Sequence, residues 1–261
     1  MTPLASKTQL PWVSLDFKNI NTETYLALIT RDGELSVMEP KDHDMLSNEW
    51  SDWMQGVGFR VCPEPSRAEE TSFKVCWHKE KMPCWQAIGA GLDYKALSLA
   101  IAVGDYVKVY RTDRDRRLYV CAELHGAHDL VRDVAWANGS MRGYDILATG
   151  SKDGRVRVYE LRTPNMTDQA TVLQRLKIAT QPPPPPPKNL IRSGRTTPSG
   201  IGAGLANATR MQAVQEEDED APGRLKQDAV LVAELKEHRL PVWRVVFSSN
   251  GKDVRFFLRD A

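Results

Sequence analysis

The fold of this chain is decided by two neighbouring pieces of its sequence, Val131-Arg-Asp-Val-Ala-Trp136 and Ile146-Leu-Ala-Thr-Gly-Ser-Lys-Asp-Gly-Arg-Val-Arg-Val-Tyr159. Apolar and polar residues alternate in both pieces, which predicts half-buried β-strands. Asp153-Gly154 divides the second piece in two, because this kind of hairpin turn needs the positive φ that glycine adopts at little cost. Together the two pieces predict three antiparallel strands.

The same pattern recurs along the chain. Short apolar runs that end in an aromatic residue are found at Trp12–Phe17, Ser72–Trp77, Val131–Trp136 and Val242–Phe247. A strand, a tight turn and a second strand follow the first three of these runs, at Tyr25–Met38, Ser98–Tyr110 and Ile146–Tyr159. A fourth strand is predicted at Leu118–Leu124 and Ala229–Leu235, with a counterpart at Gln55–Val61. Repeats with four strands each are typical of the blades of a β-propeller, so the predicted fold class is all-β.

Composition excludes several classes of protein. The 261 residues contain 35 Lys+Arg and 34 Asp+Glu, a formal net charge of +1, whereas an electrostatic nucleic-acid binder would show a basic excess. Hydrophobic residues make up 41% of the chain, too many for a wholly disordered protein. The longest apolar runs are far shorter than the ~18 residues that span a membrane. Met1–Pro11 lacks the pattern of a signal peptide, so reduced thiols are expected.

One long segment interrupts the repeats. It includes six consecutive prolines, Pro182–Pro187, and an acidic run, Glu216–Asp220. The prolines favour an extended polyproline II conformation, and the whole composition is typical of disorder. The predicted domains are therefore a non-matching N-terminal segment (1–11), propeller blades (12–162), a disordered Pro-rich and acidic insertion (163–223), and a last part (224–261). This last part holds the final strand of the interrupted blade and the start of the next.

The residues of the third repeat resemble a WD-repeat, with His128 before the first strand and Asp-Gly between the second and third. The usual closing Trp-Asp is replaced by Met38-Glu39, Tyr110-Arg111 and Tyr159-Glu160. The whole array is similar to the small WD-repeat nucleoporins of the Seh-one type, which are related to the COPII coat protein Sec-thirteen. The stretches that carry this resemblance are Tyr25–Pro40, Leu46–Trp50, Ser72–His78, Val131–Ala137, Gly143–Ala148 and His238–Phe247, in that order around a fungal-looking insertion.

The resemblance implies an open six-bladed propeller, of which this chain has about three and a half blades. We therefore expect an incomplete propeller, truncated at both ends, either from a misread gene model or in a degenerate paralogue. Lys252–Ala261 fits neither the next strand nor the Asp-Gly turn of the family. A chain of this kind should expose apolar strand edges near Trp12 and Val242–Phe257, and the isolated chain should be poorly soluble.

The family's function is that of a scaffold without enzymatic activity. The resemblance implies a place in the Y-shaped outer-ring complex of the nuclear pore, where a partner nucleoporin supplies a completing blade by β-augmentation. It also implies roles in protein and mRNA transport and in a vacuole-associated complex that regulates TOR signalling. The alternative is a peptide- or degron-recognising WD-repeat adaptor, which would need a charged ring near Arg132, Asp133 and Arg244.

Other candidate sites receive structural interpretations. Cys76, His78 and Cys84 are the nearest group to a zinc site, but Cys76 lies in an alternating strand where a free cysteine is usually a core residue. The pairs His125/His128 and His128/Asp129 suggest acid–base chemistry only weakly, and a loop histidine more often bonds within its blade, with Asp133 as a possible support. No catalytic, cofactor or metal residue is therefore predicted, and the partner-binding residues stay unassigned. Four tryptophans are expected in the core (Trp12, Trp77, Trp136 and Trp243) and three in loops (Trp50, Trp53 and Trp85).

Overall fold

The computed structural model describes residues 11–42, 49–53, 59–139, 143–163, 224–236, 238–249 and 253–258. The described residues form fifteen strands and one short helix, arranged in separate antiparallel sheets. The predicted N-terminal segment up to residue 10 and the predicted insertion from residue 164 to 223 lie outside the described residues.

The first blade follows the chain from its inner strand outward. β1 (Trp12–Ile20), β2 (Glu23–Thr30) and β3 (Glu34–Pro40) pair in sequence order. Two short strands, β4 (Trp50–Asp52) and β5 (Phe59–Arg60), both pair with β3 and share the place of the fourth strand. The predicted counterpart at Gln55–Val61 therefore supplies only the second of these two pieces.

The second and third blades are four-stranded sheets. The second contains β6 (Phe73–Trp77), α1 (Trp85–Gly89), β7 (Ser98–Val103), β8 (Tyr106–Thr112) and β9 (Leu118–Leu124). The third contains β10 (Val131–Trp136), β11 (Asp145–Ser151), β12 (Val156–Arg162) and β13 (Asp228–Leu235). β13 pairs with β12 although residues 164–223 separate the two strands in the sequence, so the insertion leaves the blade intact.

A hairpin of β14 (Val242–Phe247) and β15 (Val254–Leu258) follows. The expectation that Lys252–Ala261 would not fit a second strand is wrong. The Ser248 amide donates to the Asp253 carbonyl at 2.8 Å, and the Asp253 amide donates to Ser248 Oγ at 3.1 Å. These two bonds close a turn that lacks the Asp-Gly signal, which is why the sequence pattern did not reveal it.

The predicted hairpin turns are confirmed. Gly33, Gly104 and Gly154 have φ values of 81°, 63° and 77° and each separates the second strand of a blade from the third. Glycine, which has no Cβ, adopts this left-handed backbone region without strain, whereas an alanine there would be strained. At Gly154 a Cβ would in addition meet the carbonyl oxygen of His238, so this turn also fixes how closely the last hairpin approaches.

The hydrophobic core lies between blades. One cluster joins the first blade to the second and contains Ile29, Val37, Val75, Trp77 and Leu99. Another joins the second blade to the third, and a small third cluster joins the third blade to the last hairpin through Ala148, Val156, Val242 and Val245. Successive residues of a strand therefore face opposite sides of the blade and pack against the two neighbouring blades. This is why β7 is buried along its whole length. No helix within the described ranges has the length and apolarity needed to cross a membrane.

Candidate protein-interaction site

The inner strands β1, β6, β10 and β14 are joined by side chains that bond to the backbone of the next strand. Ser14 Oγ accepts a hydrogen bond from the Val75 amide at 3.2 Å, and Asp133 Oδ2 accepts one from the Val245 amide at 2.9 Å. Ser14 and Asp133 occupy the same repeat position, three residues before the closing aromatic. Each link satisfies an amide that the blade's own sheet leaves open, so this seam of side chains sets the order of the blades.

Two tryptophans extend the seam. Trp77 Nε1 donates to the Asp16 carbonyl at 3.1 Å, and Trp136 Nε1 donates to the Cys76 carbonyl at 2.9 Å. Both indoles are at most 2% exposed, so the expectation that they are core residues is confirmed. Phe247 stands at the same position of β14, but its ring has no N–H group. The last hairpin therefore lacks this side-chain link.

β1 presents an apolar row to the surface. Val13, Leu15 and Phe17 are 46%, 53% and 50% exposed. Val75 and Val134 occupy the position of Leu15 in the second and third repeats. They are only 1% and 2% exposed, because a preceding blade covers them. The leading row, Val13–Leu15–Phe17, therefore has the chemistry of a blade-to-blade contact and is open to a partner, as expected near Trp12.

A second apolar row lies on the last hairpin. Trp243, Val246 and Phe257 are 41%, 38% and 56% exposed, and this trailing row lies where exposed apolar residues were expected. The expectation that Trp243 is a core residue is wrong. A bulge between Val242 and Arg244 turns its indole outward, where the Arg132 guanidinium lies 4.8 Å from the ring centre. Trp12, by contrast, is half-buried.

The candidate peptide-reading residues serve different roles. Asp133 is used in the seam, and Lys74 Nζ lies 3.9 Å from its other oxygen. Burial raises the pKa of Asp133, although the Val245 amide opposes this change. Arg132 pairs with Glu70 and stacks on Trp243, while Arg244 is exposed. Asp133 and Arg132 are therefore already engaged by contacts within the molecule.

A buried polar network locks the second blade to the third. Arg111 Nη2 lies 2.7 Å from Asp145 Oδ2, and His78 Nε2 lies 3.3 Å from Asp145 Oδ1. Arg111 also donates to Ser98 Oγ at 2.7 Å and to Gln227 Oε1. Burial by itself would raise the pKa of Asp145, but the hydrogen bond from His78 and the charge of Arg111 hold this pKa below its usual range.

The segment before β13 is anchored to the second blade. Arg224 Nη2 lies 3.1 Å from Asp113 Oδ2, the Leu225 amide donates to Tyr119 Oη at 2.8 Å, and the Gln227 amide donates to the Cys121 carbonyl at 2.8 Å. Sequence analysis did not single out Asp145 or Gln227. No local pattern marks them, because their partners are distant in the sequence.

The weak catalytic candidates make contacts with different partners. His125 Nε2 lies 3.1 Å from Glu123 Oε2, and its ring stacks on Tyr106. His128 is exposed, and it bonds within its blade through its backbone amide, which donates to Asp153 Oδ2 at 3.0 Å. Asp129 uses its carbonyl oxygen to accept from Ser151 Oγ. His125 therefore pairs with the exposed carboxylate of Glu123, whereas His128 and Asp129 make their contacts within the third blade.

Of the three residues considered for zinc, Cys76 is separate, whereas His78 and Cys84 both lie beside Asp145. Cys76 belongs to the core between the second and third blades, and His78 belongs to the Asp145 network. Burial raises the pKa of Cys76 to about 11 and that of Cys84 to about 12, so both thiols stay protonated at neutral pH. Within the described ranges, no three His, Cys, Asp or Glu residues converge to hold a metal ion.

The tryptophans expected in loops differ from one another. Trp50 begins β4 and is half-buried, so it is a strand residue. Trp53 packs on Tyr25 at 5.5 Å between ring centres and lies under the Arg116 guanidinium at 4.5 Å. Trp85 begins α1 and is 62% exposed. The expected loop position is therefore right for Trp53 and wrong for Trp50 and Trp85.

This chain is a WD-repeat β-propeller protein. Its class is defined by the antiparallel blades, by the glycine turns between their second and third strands, and by the seam of inner strands. It is 32% identical to nucleoporin SEH1 of Chaetomium thermophilum over 93% of its own length. Over almost all of its own length, the chain is therefore similar to the Seh1-type nucleoporins.

Two further relatives agree, although they match shorter parts. Nucleoporin SEH1 of Saccharomyces cerevisiae is 36% identical over 24% of the chain and 18% of that relative. Nucleoporin seh1 of Schizosaccharomyces pombe is 27% identical over 53% of the chain and 36% of that relative. The chain spans 57% of the Chaetomium relative. No family model matches the chain.

Proposed function

We propose that this chain is a non-enzymatic scaffold subunit of the nuclear pore, at the nuclear envelope, and that it binds protein partners in the Y-shaped outer-ring complex. Through that complex it contributes to pore structure and to protein and mRNA transport. The proposal rests on the family and on one structural observation, the leading row of Val13, Leu15 and Phe17. A surface that elsewhere in the same molecule packs against a blade is suited to a partner that adds a blade.

The partner would meet the apolar face of β1, since Ser14 and Asp16 on the edge of this strand already bond to β6. Fully burying a large apolar side chain contributes roughly 1.5–3 kcal/mol to binding. The side chains of the leading row contribute less than this, because about half of each is already covered. The peptide-reading alternative is less well supported, because Asp133 already serves the seam and Arg132 already contacts Glu70 and Trp243.

The test is affinity purification of the tagged full chain from cells, with the outer-ring nucleoporins measured by quantitative mass spectrometry. Leu15→Glu with Phe17→Glu should reduce their recovery more than tenfold. The matched control is Val232→Glu, which changes an apolar residue of similar exposure (48%) on β13 and should leave the recovery unchanged. Absence of outer-ring proteins from the wild-type sample would overturn the scaffold proposal. Recovery that is insensitive to Leu15 and Phe17 would overturn the leading row as the contact.

A further inference from the structure

The last hairpin has one open edge. β15 pairs with β14 along one side, and no strand within the described ranges pairs with its other side. The strands at the same place in the earlier blades, β2, β7 and β11, are each paired on both sides. A strand edge that is open in this way is a template for pairing with another chain.

The turn before β15 shows which backbone groups face this open edge. The Asp253 amide donates to Ser248 Oγ, and the Asp253 carbonyl accepts from the Ser248 amide, so both backbone groups of Asp253 are directed toward the β14 side. The backbone groups of successive residues alternate between the two sides of an antiparallel strand. Val254, Phe256 and Leu258 therefore direct their amides and carbonyls to the open edge.

The third blade offers an apolar surface beside this edge, because it has four strands where the last hairpin has two. Leu235 of β13 pairs with Val156, and Ala233 pairs with Val158. Val156 and Val158 belong to the cluster that packs against the last hairpin. Since paired residues share a face of their sheet, Leu235 and Ala233 lie on that face too. Both are exposed, Leu235 at 41%, and a strand paired with β15 would lie over them.

The third strand of the third blade shows how such a strand is buried. Tyr159 and Leu161 of β12 belong to the core between the second and third blades, where they are 3% and 0% exposed. A strand added to β15 would have the corresponding place relative to the third blade. Its alternate side chains, those directed toward the third blade, should therefore be apolar.

The other face of the hairpin is basic and aromatic. β14 and β15 contain Arg244 and Arg255 and no acidic residue. Arg255 and Phe257 are exposed on this face, since they alternate with Val254 and Phe256, which pack toward the third blade. Residues directly opposite each other in neighbouring strands interact, and opposite charges attract there. An acidic side chain opposite Arg255 and an aromatic one opposite Phe257 would complement this face.

We propose that the open edge of β15 binds an extended acidic and apolar segment of another protein by antiparallel β-augmentation. Antiparallel pairing continues the arrangement of the other blades. On one face of the segment, alternate apolar side chains pack on Leu235 and Ala233, and on the other face a carboxylate lies opposite Arg255. The open edge is distinct from the leading row, so this inference does not rest on the proposed function.

The probe is a fluorescein-labelled peptide with the strand Val-Tyr-Val-Glu-Val between Gly-Ser ends, titrated with the full chain by fluorescence anisotropy. In antiparallel register its middle valine lies opposite Phe256 and its glutamate opposite Arg255. N-methylation of the middle valine, whose amide faces β15, should weaken binding at least about tenfold through the lost hydrogen bond. N-methylation of the glutamate, whose amide faces away from β15, should leave the affinity nearly unchanged.

A charge exchange tests the register. Arg255→Glu should weaken binding of the peptide roughly fivefold, because two like charges then lie opposite each other. A second peptide, with lysine in place of glutamate, should restore the affinity for this variant. Arg244→Glu is the matched control, since this arginine lies on β14 and β15 separates it from the added strand. It should leave the affinity for the first peptide nearly unchanged.

Leu235→Ser tests the apolar surface and should weaken binding roughly fivefold. Leu231→Ser is its matched control, because Leu231 lies on the same strand, is 45% exposed and pairs with Tyr159 on the opposite face. Leu231→Ser should leave the affinity unchanged. Leu15→Glu with Phe17→Glu should also leave it unchanged, which separates this site from the leading row.

Four results would each overturn the proposal. They are the absence of saturable binding up to about 1 mM chain, equal losses for the two N-methylated peptides, a lysine peptide that does not restore binding to Arg255→Glu, and equal losses for Leu231→Ser and Leu235→Ser.

Discussion

Replacement of Asp145 by alanine tests whether the polar network locks two blades together. Asp145 is 6% exposed and contacts Arg111, which is 0% exposed, at 2.7 Å. Removing one partner of a buried ion pair leaves an uncompensated charge and costs about 3–5 kcal/mol. We therefore expect Asp145→Ala to lower the free energy of unfolding by about that amount, which is a large fraction of the stability of an ordinary domain.

The assay is urea unfolding of the full chain at submicromolar concentration, followed by tryptophan fluorescence. Asp145→Leu, Arg111→Met and the double variant Arg111→Met/Asp145→Leu form a double-mutant cycle. The double variant should lose much less stability than the sum of the two single losses, because no buried charge is left without its partner. The matched surface control is Glu160→Ala, whose partner Arg162 is 57% exposed, and it should cost less than about 1 kcal/mol.

The pH dependence provides a second readout of the same network. Because the pKa of Asp145 is lower in the folded chain than in the unfolded chain, its stabilising contribution is present above the unfolded value of about 3.9 and is lost as pH falls through the folded pKa. Wild type should lose stability below about pH 5 more steeply than Arg111→Met/Asp145→Leu. The network would be refuted as an inter-blade lock if the stability loss of the double variant equalled the sum of the two single losses within about 0.5 kcal/mol and the pH profiles were parallel.

Three further predictions follow from the seam and the open rows. Trp77→Phe should cost about 1–3 kcal/mol in urea unfolding through the lost bond to the Asp16 carbonyl and a small cavity, whereas Trp243→Phe on the surface should cost less than about 0.5 kcal/mol; equal losses would contradict the seam. Burial lowers the pKa of Lys18 to about 8 from 10.5. The unfolded chain therefore binds more protons between these values, and wild-type stability should rise relative to Lys18→Met from about pH 8 to 10.5; parallel profiles would contradict this. The isolated chain should self-associate through its leading row, and Leu15→Ser with Phe17→Ser should shift its size-exclusion profile toward monomer; a monodisperse wild-type monomer would contradict this.

Most strand positions could be predicted from local pattern. β9, β10 and β14 have the predicted bounds or nearly so, because side-chain alternation and turn residues act within a few residues of sequence. β15 was missed because its turn is closed by Ser248 and Asp253 without an Asp-Gly pair. The exposure of Trp243 was also missed, because a bulge in β14 changes which face its side chain meets.

The candidate site was less accessible to sequence reasoning. An alternating strand such as β1 has an apolar face, but the pattern is the same whether another blade covers that face or a partner does. Asp145, Arg111 and Gln227 come from three separate elements, and their contact depends on how two blades meet. No spacing rule links residues that are so far apart in the chain.

The sequence by itself determined the strands, the glycine turns, the repeat and thereby the propeller class, since these features depend on the period of side chains along one strand and on the φ angles of single residues. The tertiary structure alone decided which apolar rows stay exposed and which buried charges compensate one another. These properties depend on the packing of one blade against the next. A side chain buried at one repeat position is exposed at another because its neighbouring blade differs, not its own strand.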